Sequence, residues 1–162
     1  MVPDYKRLYL DADVYLGLIK GEAGRLDIAR GLLRGGQDKR FVVVASTLLY
    51  AEVCGHGEVR AAVDQTAVDQ KVSAFFEHGF IQWVDVDLVV ARDARRVSRA
   101  HRLRGADAIH LASAIRASCD ALMTWDKKDF PIGQTVEGVD VREPFLFGQA
   151  TLDNELPAPE EA

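Results

Sequence analysis

The sequence predicts an α/β domain with a mainly parallel central sheet, on three observations. Short apolar segments alternate with amphipathic helical ones, and interleaving of that kind builds strand–helix–strand units. The run "RFVVVAS" (40–46) is continuous and valine-rich, as suits a strand buried on both faces. At 162 residues, 48% hydrophobic and 28% charged, the chain is long enough for one domain to bury a core without disulfide or metal staples.

"KRLYLDA" places Leu8 and Leu10 at period two and predicts a strand that runs into a helix from Asp13 to Lys20. "AGRLDIARGLLRGG" predicts a second helix, stopped by Gly35 and Gly36. After the valine strand, Ser46 is expected to cap the helix "STLLYAEVCGHG", which ends at Gly55 or Gly57. One longer helix is expected from Glu58 to Glu77, ending near His78, before the strand "FIQWVDV". Next come a helix from Leu88 to Arg102, a helix in "LRGADAIHLASAIRAS", the strand "DALMTW" and a short final strand in "EGVDVRE". Trp83 and Trp125 fall in strands and read as core.

Cys54 and Cys119 form neither a CxxC pair nor a disulfide framework, so a reducing compartment is expected. The N-terminus lacks the basic-then-apolar layout of a signal peptide, and no apolar run is long enough to span a bilayer; the chain reads as cytoplasmic. Its net charge of −5 argues at first against nucleic acid. However, Asp153, Glu155, Glu160 and Glu161 all lie in the proline-containing end 148–162, which reads as a solvated, disordered tail after a domain at 1–147. Without those four acids the body carries about −1.

Open parallel sheets bind ligands beyond the carboxyl ends of their strands. Asp11 closes the first strand there, and Asp126 closes "ALMTW" with Asp129 one turn on. Glu52 follows Leu48 and Leu49 by four and three residues, which puts it on the inward face of its helix, where an unpaired carboxylate is costly. Asp107 enters its helix beside the stripe Ala108, Leu111, Ala112 and Ile115. Each acid also has a plain structural explanation. Asp107 suits a helix cap, as do Asp11 and Asp13, and Asp126 with Asp129 suits a turn that satisfies backbone donors. Only Glu52 gains nothing from capping. If the four converge, like charges raise one another's pKa until a counter-charge arrives. All-oxygen ligands select Mg²⁺ or Mn²⁺ over zinc.

Arg92, Arg95, Arg96, Arg99 and Arg102 share a face about 120° wide on one helix. Arg104 extends that cluster to within three residues of Asp107. The face is either an ordinary solvated surface or a track that draws phosphates toward the acids. A rival pairing of Glu52 with His56 and Asp107 with His110 has unequal spacings and wants four long helices, which this chain lacks. His110 reads instead as a partly buried helix residue and His56 as a loop residue.

In order, "YLDADV", "STLLYAEV", "GADAIHLASA" and "LMTWDKKDF" resemble the PIN-domain family, especially its VapC-type toxin ribonucleases, over Leu8 to Phe130. The resemblance implies a three-layer α/β/α fold. It places metal-binding catalytic carboxylates at Asp11, Glu52, Asp107 and Asp126, with Asp129 as an accessory ligand. Ser46 and Thr124 fall where the family keeps hydroxyls near the site, whereas Asp13 stands where Asn or Ser is more usual. The chemistry implied is Mg²⁺-assisted hydrolysis of RNA phosphodiesters, with Mn²⁺ able to substitute. The partners implied are RNA, a cognate antitoxin and a second copy in a homodimer. Metal–carboxylate chemistry does not read the sugar, so DNA stays open as substrate. The other function class is a PIN-like binding or regulatory module with little catalysis, which has no need for clustered negative charge.

Overall fold

The computed structural model describes residues 3–77 and 79–146. His78 and the acidic segment 148–162 lie outside the described residues.

The sheet is built around β1 (Arg7–Leu10), which pairs in parallel with β2 (Val42–Ser46) on one side and β4 (Ala121–Met123) on the other. β3 (Ile81–Val84) extends the β2 edge in parallel, and β6 (Val139–Arg142) extends the β4 edge. A two-residue strand β5 (Thr135–Val136), absent from the sequence reading, closes that edge antiparallel. The order is β3-β2-β1-β4-β6-β5.

Period-two alternation sorts the strands' side chains between two cores. Leu8, Leu10, Val43, Ala45, Ala121 and Met123 face one layer, formed by α1 (Ala12–Lys20), α2 (Leu26–Gln37), α3 (Leu48–Gly55) and α5 (Gln65–Phe76). Tyr9, Val44, Leu122 and Val141 face the other, formed by α6 (Leu88–His101) and α7 (Gly105–Arg116). Both faces of the sheet are thus covered, which is why β2 is an unbroken apolar run. The three-layer α/β/α arrangement matches the expectation.

Four local expectations need correction. Gly35 and Gly36 do not stop α2; they lie inside it, because the helix packs too closely for side chains there. A Cβ on Gly35 would meet the Phe41 ring at 2.6 Å, and one on Gly36 would meet Val43 Cγ2 at 2.4 Å. The single helix at 58–77 is two pieces, α4 (Gly57–Arg60) and α5, because Asp64 caps α5 by accepting from the Ala67 amide at 3.0 Å. Ser46 is the last residue of β2 and caps nothing. The residue before α3 is Thr47, whose hydroxyl accepts from the Val86 amide at 3.2 Å. Trp125 lies past β4, with the Arg25 guanidinium 4.9 Å from its ring centre.

Candidate metal centre

Parallel β1, β2 and β4 all end on the same edge, and the chain leaves each of them toward the acids that the sequence singles out. Asp11 follows β1 directly and caps α1, accepting from the Ala12 amide at 2.8 Å. Its other oxygen accepts from the Thr124 hydroxyl at 2.8 Å. Thr124 in turn accepts from the Asp126 amide at 3.0 Å, which ties the end of β4 to the end of β1. Asp126 Oδ1 accepts from the amides of Lys128 and Asp129, so the turn reading of this pair also holds. Asp107 is in the first turn of α7 but is not its cap; Arg104 occupies that position. Glu52 reaches inward from α3 as its spacing predicts.

Asp11, Asp13, Glu52, His56, Asp107 and Asp126 line one open cleft of about 420 Å³. Within it the ligand atoms fall into two groups, each within 4.8 Å: Asp11, Glu52 and His110, and Asp107, Asp126 and Asp129. No lysine or arginine lines the cleft among the described residues. Arg104 approaches the second group, its Nε 3.9 Å from Asp129.

The electrostatics follow from this crowding. Burial, then the charges of Asp11, Asp126 and Asp129, push the Asp107 carboxyl up to about 6. Asp11 is raised as well, chiefly by burial, against the lowering pull of His110 and Thr124. An acid pair or triad held apart in this way fits a divalent cation, and carboxylate oxygens with at most one imidazole suit a hard ion.

Asp13 is not a cap. Its Oδ2 accepts from the Trp125 amide at 2.7 Å and lies 3.1 Å from the Thr124 hydroxyl, while its buried Oδ1 has no partner among the described residues. Burial and the neighbouring Asp11 push its carboxyl up to about 7. Between the ordinary carboxylate range and that value the folded protein holds a proton that the unfolded chain releases, so stability falls as pH rises through this window. In metal-free protein, Asp13→Asn is therefore expected to raise Tm at pH 7.5 and to raise it clearly less at pH 5, where much of the penalty has not yet accrued. Thermal melts of the two proteins at both pH values check this.

The residue that sequence reasoning missed is His110. It is 1% exposed rather than partly buried. Its Nδ1 is 2.6 Å from the Tyr9 hydroxyl, and its Nε2 is 2.5 Å from Glu52 and 3.5 Å from Asp11. Burial alone would lower its pKa; the Glu52 hydrogen bond and the Asp11 charge outweigh burial and raise it. An ionisable side chain between Ile109 and Leu111, three residues after Asp107, was the available signal. The buried hydroxyl of Ser46 lies by the Tyr9 hydroxyl and makes no other hydrogen bond among the described residues, and the Ser46 amide donates to the Tyr9 hydroxyl at 3.0 Å.

All six arginines of the expected track are exposed. Arg92, Arg95, Arg96 and Arg99 line a shallow groove on α6. Arg96 is bound by the Glu137 carboxylate through two contacts of 2.9 Å, and Arg102 ends the helix in a left-handed conformation, φ 56°.

Fold and cleft together define a class: an α/β domain that gathers carboxylates for a divalent cation where its parallel strands end. Comparison with known proteins narrows it. The family model of the PIN domain matches residues 8–131, and the chain belongs to that family. Two Mycobacterium tuberculosis proteins, Ribonuclease VapC45 and Ribonuclease VapC49, are each 30% identical to it over 129 residues, 75% of this chain and 85% of theirs. The Rickettsia felis VapBC2 structure, bound to a DNA fragment from its promoter, aligns with a TM-score of 0.62 at 12% identity, covering 85% of this chain and 98% of that one. Mycobacterium tuberculosis VapC20, a toxin that cleaves the sarcin-ricin loop, aligns with a TM-score of 0.59 at 15% identity, covering 75% and 91%. These structural likenesses carry the fold.

Proposed function

We propose that the chain is a Mg²⁺-dependent endoribonuclease, the toxin of a type II toxin–antitoxin pair. The observation that carries this reading is the cleft: buried and half-buried acids converge at the sheet's carboxyl edge without a lysine or arginine lining it among the described residues. The relatives' names and the family point the same way. A binding module gains nothing from such a cluster and loses stability by it.

In this proposal Asp11, Glu52, Asp107 and Asp126 hold the ion, with Asp129 beside them, and Mn²⁺ substitutes for Mg²⁺. Bound there, a divalent cation neutralises charge on the scissile phosphate and lowers the pKa of water. The chain's own residues do the rest. Thr124 holds Asp11 and the Asp126 backbone in one arrangement. A carboxylate in the cleft accepts the proton of the attacking water. Arg92, Arg95 and Arg99 draw the phosphates of the strand, with Arg102 and Arg104 leading toward Asp107.

Because Glu137 occupies Arg96, the arginines of the track are not equivalent. Replacing Arg95 and Arg99 with Gln is expected to weaken RNA binding and flatten its salt dependence by about two ions' worth of slope, since fewer counterions are released. Arg96→Gln is expected to change the slope least. Binding titrations at several salt concentrations measure all three.

The proposed partners are RNA, a cognate antitoxin and a second copy of the chain. Exposed Leu88 and Val89 on α6 offer apolar surface for a protein contact. An antitoxin arginine or lysine would find in the cleft a ready set of charge-assisted acceptors. No helix among the described residues is long and apolar enough to cross a membrane, and the proposed compartment is the cytoplasm. Expression of the chain in a bacterium tests the toxin reading. Growth should slow and RNA should be lost, Asp11→Asn should relieve both, and co-expression of the neighbouring gene should restore growth. Normal growth with undegraded RNA at a high level of folded protein overturns it.

A further inference from the structure

We propose that Arg25, carried on the face of Trp125, takes a phosphate of the RNA strand on the far side of the carboxylates from Arg104. The proposal rests on the ribonuclease reading for its substrate class, but its readouts require no cleavage. The arginines of α6 and Arg104 at the start of α7 all belong to one helical layer. A strand that reaches the acids along them alone is held on one side of the scissile phosphate. In-line displacement needs the reacting phosphate fixed from both sides, because rate falls steeply with misplacement. The opposite layer supplies Arg25, in the residue that caps α2 just after the turn from α1.

Trp125 connects Arg25 to the cleft. The Trp125 amide donates to Asp13 Oδ2 at 2.7 Å, and the next residue is Asp126; both acids line the cleft. The Arg25 guanidinium lies 4.9 Å from the centre of the Trp125 ring, a cation–π contact. Both side chains pack on α1 where Gly17 leaves room for them. A Cβ on Gly17 would meet Arg25 Cβ at 3.3 Å and Trp125 Cζ3 at 3.4 Å. Gly17 follows Leu16, itself part of the cleft wall, and the charge of Arg25 acts on Asp13. The guanidinium therefore stands just outside the acids.

The protein does not use up this guanidinium. Its Nη1 meets Glu22 Oε2 at 3.1 Å, while Nε and Nη2 have no hydrogen-bond partner among the described residues. Glu22 is itself shared with Lys20, whose Nζ lies 2.7 Å from its other oxygen. The Arg25 side chain is 40% exposed, so its unused donors can meet a ligand. A planar fork laid on an indole holds one orientation, and two donors on one edge match a phosphate's oxygens. Trp125 is a positioning residue, since it acts through Arg25. The path of the strand then crosses the sheet edge from one helical layer to the other.

The test is binding of a short single-stranded RNA at several salt concentrations in excess EDTA, where the ribonuclease reading allows no cleavage. Arg25→Gln should weaken binding and lower the slope of log affinity against log salt by about 0.7, the share of one phosphate contact on a single strand. Arg25→Lys keeps the charge and should keep the slope. Glu22→Gln releases the guanidinium and should bind at least as tightly as the parent. Parental affinity and slope in folded Arg25→Gln overturn the subsite. A loss of Tm shared by Arg25→Gln and Glu22→Gln, with binding unchanged in both, overturns it too and leaves a plain ion pair. The affinity lost in Trp125→Leu should vanish when Arg25→Gln is already present; additive losses overturn the role of Trp125. Trp83→Phe leaves Trp125 as the only tryptophan, and bound RNA should change its emission. Unchanged emission at saturating RNA overturns the proposal even if no Arg25 variant folds. A parent that binds no RNA overturns the subsite and the ribonuclease reading together. Binding that depends on Arg25, without cleavage when Mg²⁺ is added, upholds the subsite and overturns the ribonuclease reading alone.

Discussion

Asp107→Asn is expected to fold normally and to cleave RNA at least about a hundredfold more slowly than the parent at saturating Mg²⁺. Removing an outer partner of a metal ligand costs 10–100-fold, and removing a ligand's charge costs more. The fold should survive because Asp107 caps nothing. Burial raises its carboxyl, and its neighbours Asp11, Asp126 and Asp129 repel it and raise it further. The same repulsion gives a second expected result. Without metal, the variant should melt no lower than the parent, whereas added Mn²⁺ should stabilise the parent far more than the variant. Cleavage by Asp107→Asn at the parental rate would return this side chain to an ordinary place in the first turn of a helix.

Chelation is expected to have an effect of similar size. Excess EDTA should bring RNA cleavage to background, and Mg²⁺ or Mn²⁺ should restore it. Carboxylates brought this close, with no lysine or arginine lining their cleft among the described residues and His110 paired with only Glu52 and Asp11 of the acids, are balanced by an added cation. An ion at a hundred times its Kd stabilises the folded state by about 2.7 kcal/mol. For a domain of this size that corresponds to about 5–10 °C in Tm. Full activity in excess EDTA would remove the metal from the mechanism.

The alternation of apolar strands and amphipathic helices was legible because both faces of the sheet are covered, and burial on both sides leaves an unbroken apolar run such as Val43–Ala45. Asp11, Glu52, Asp107 and Asp126 were legible because each follows a strand end or breaks an apolar pattern. His110 was not. Its meaning depends on Tyr9 and Glu52, 101 and 58 positions away, and no local pattern announces a hydrogen bond across such a span. Gly35 and Gly36 misled for a similar reason: as C-terminal stops they are explained locally, while the Phe41 ring and Val43 that exclude their side chains are tertiary neighbours. The break at Asp64 was a missed signal rather than an illegible one, since an Asp three residues before Ala67 is an ordinary cap.

The pairing of β1 with β4 joins Leu8 to Ala121, nearly the whole span of the domain. Contacts so distant in the chain form late in folding. During translation, Asp11 and Glu52 emerge early but wait, with half of their sheet missing, until β4 and Asp126 clear the ribosome. A nascent chain shorter than that has no complete cleft. If the proposed carboxylates carry the activity, the order in which the ribosome releases these strands withholds it from the unfinished polypeptide until the turn bearing Asp126 is made.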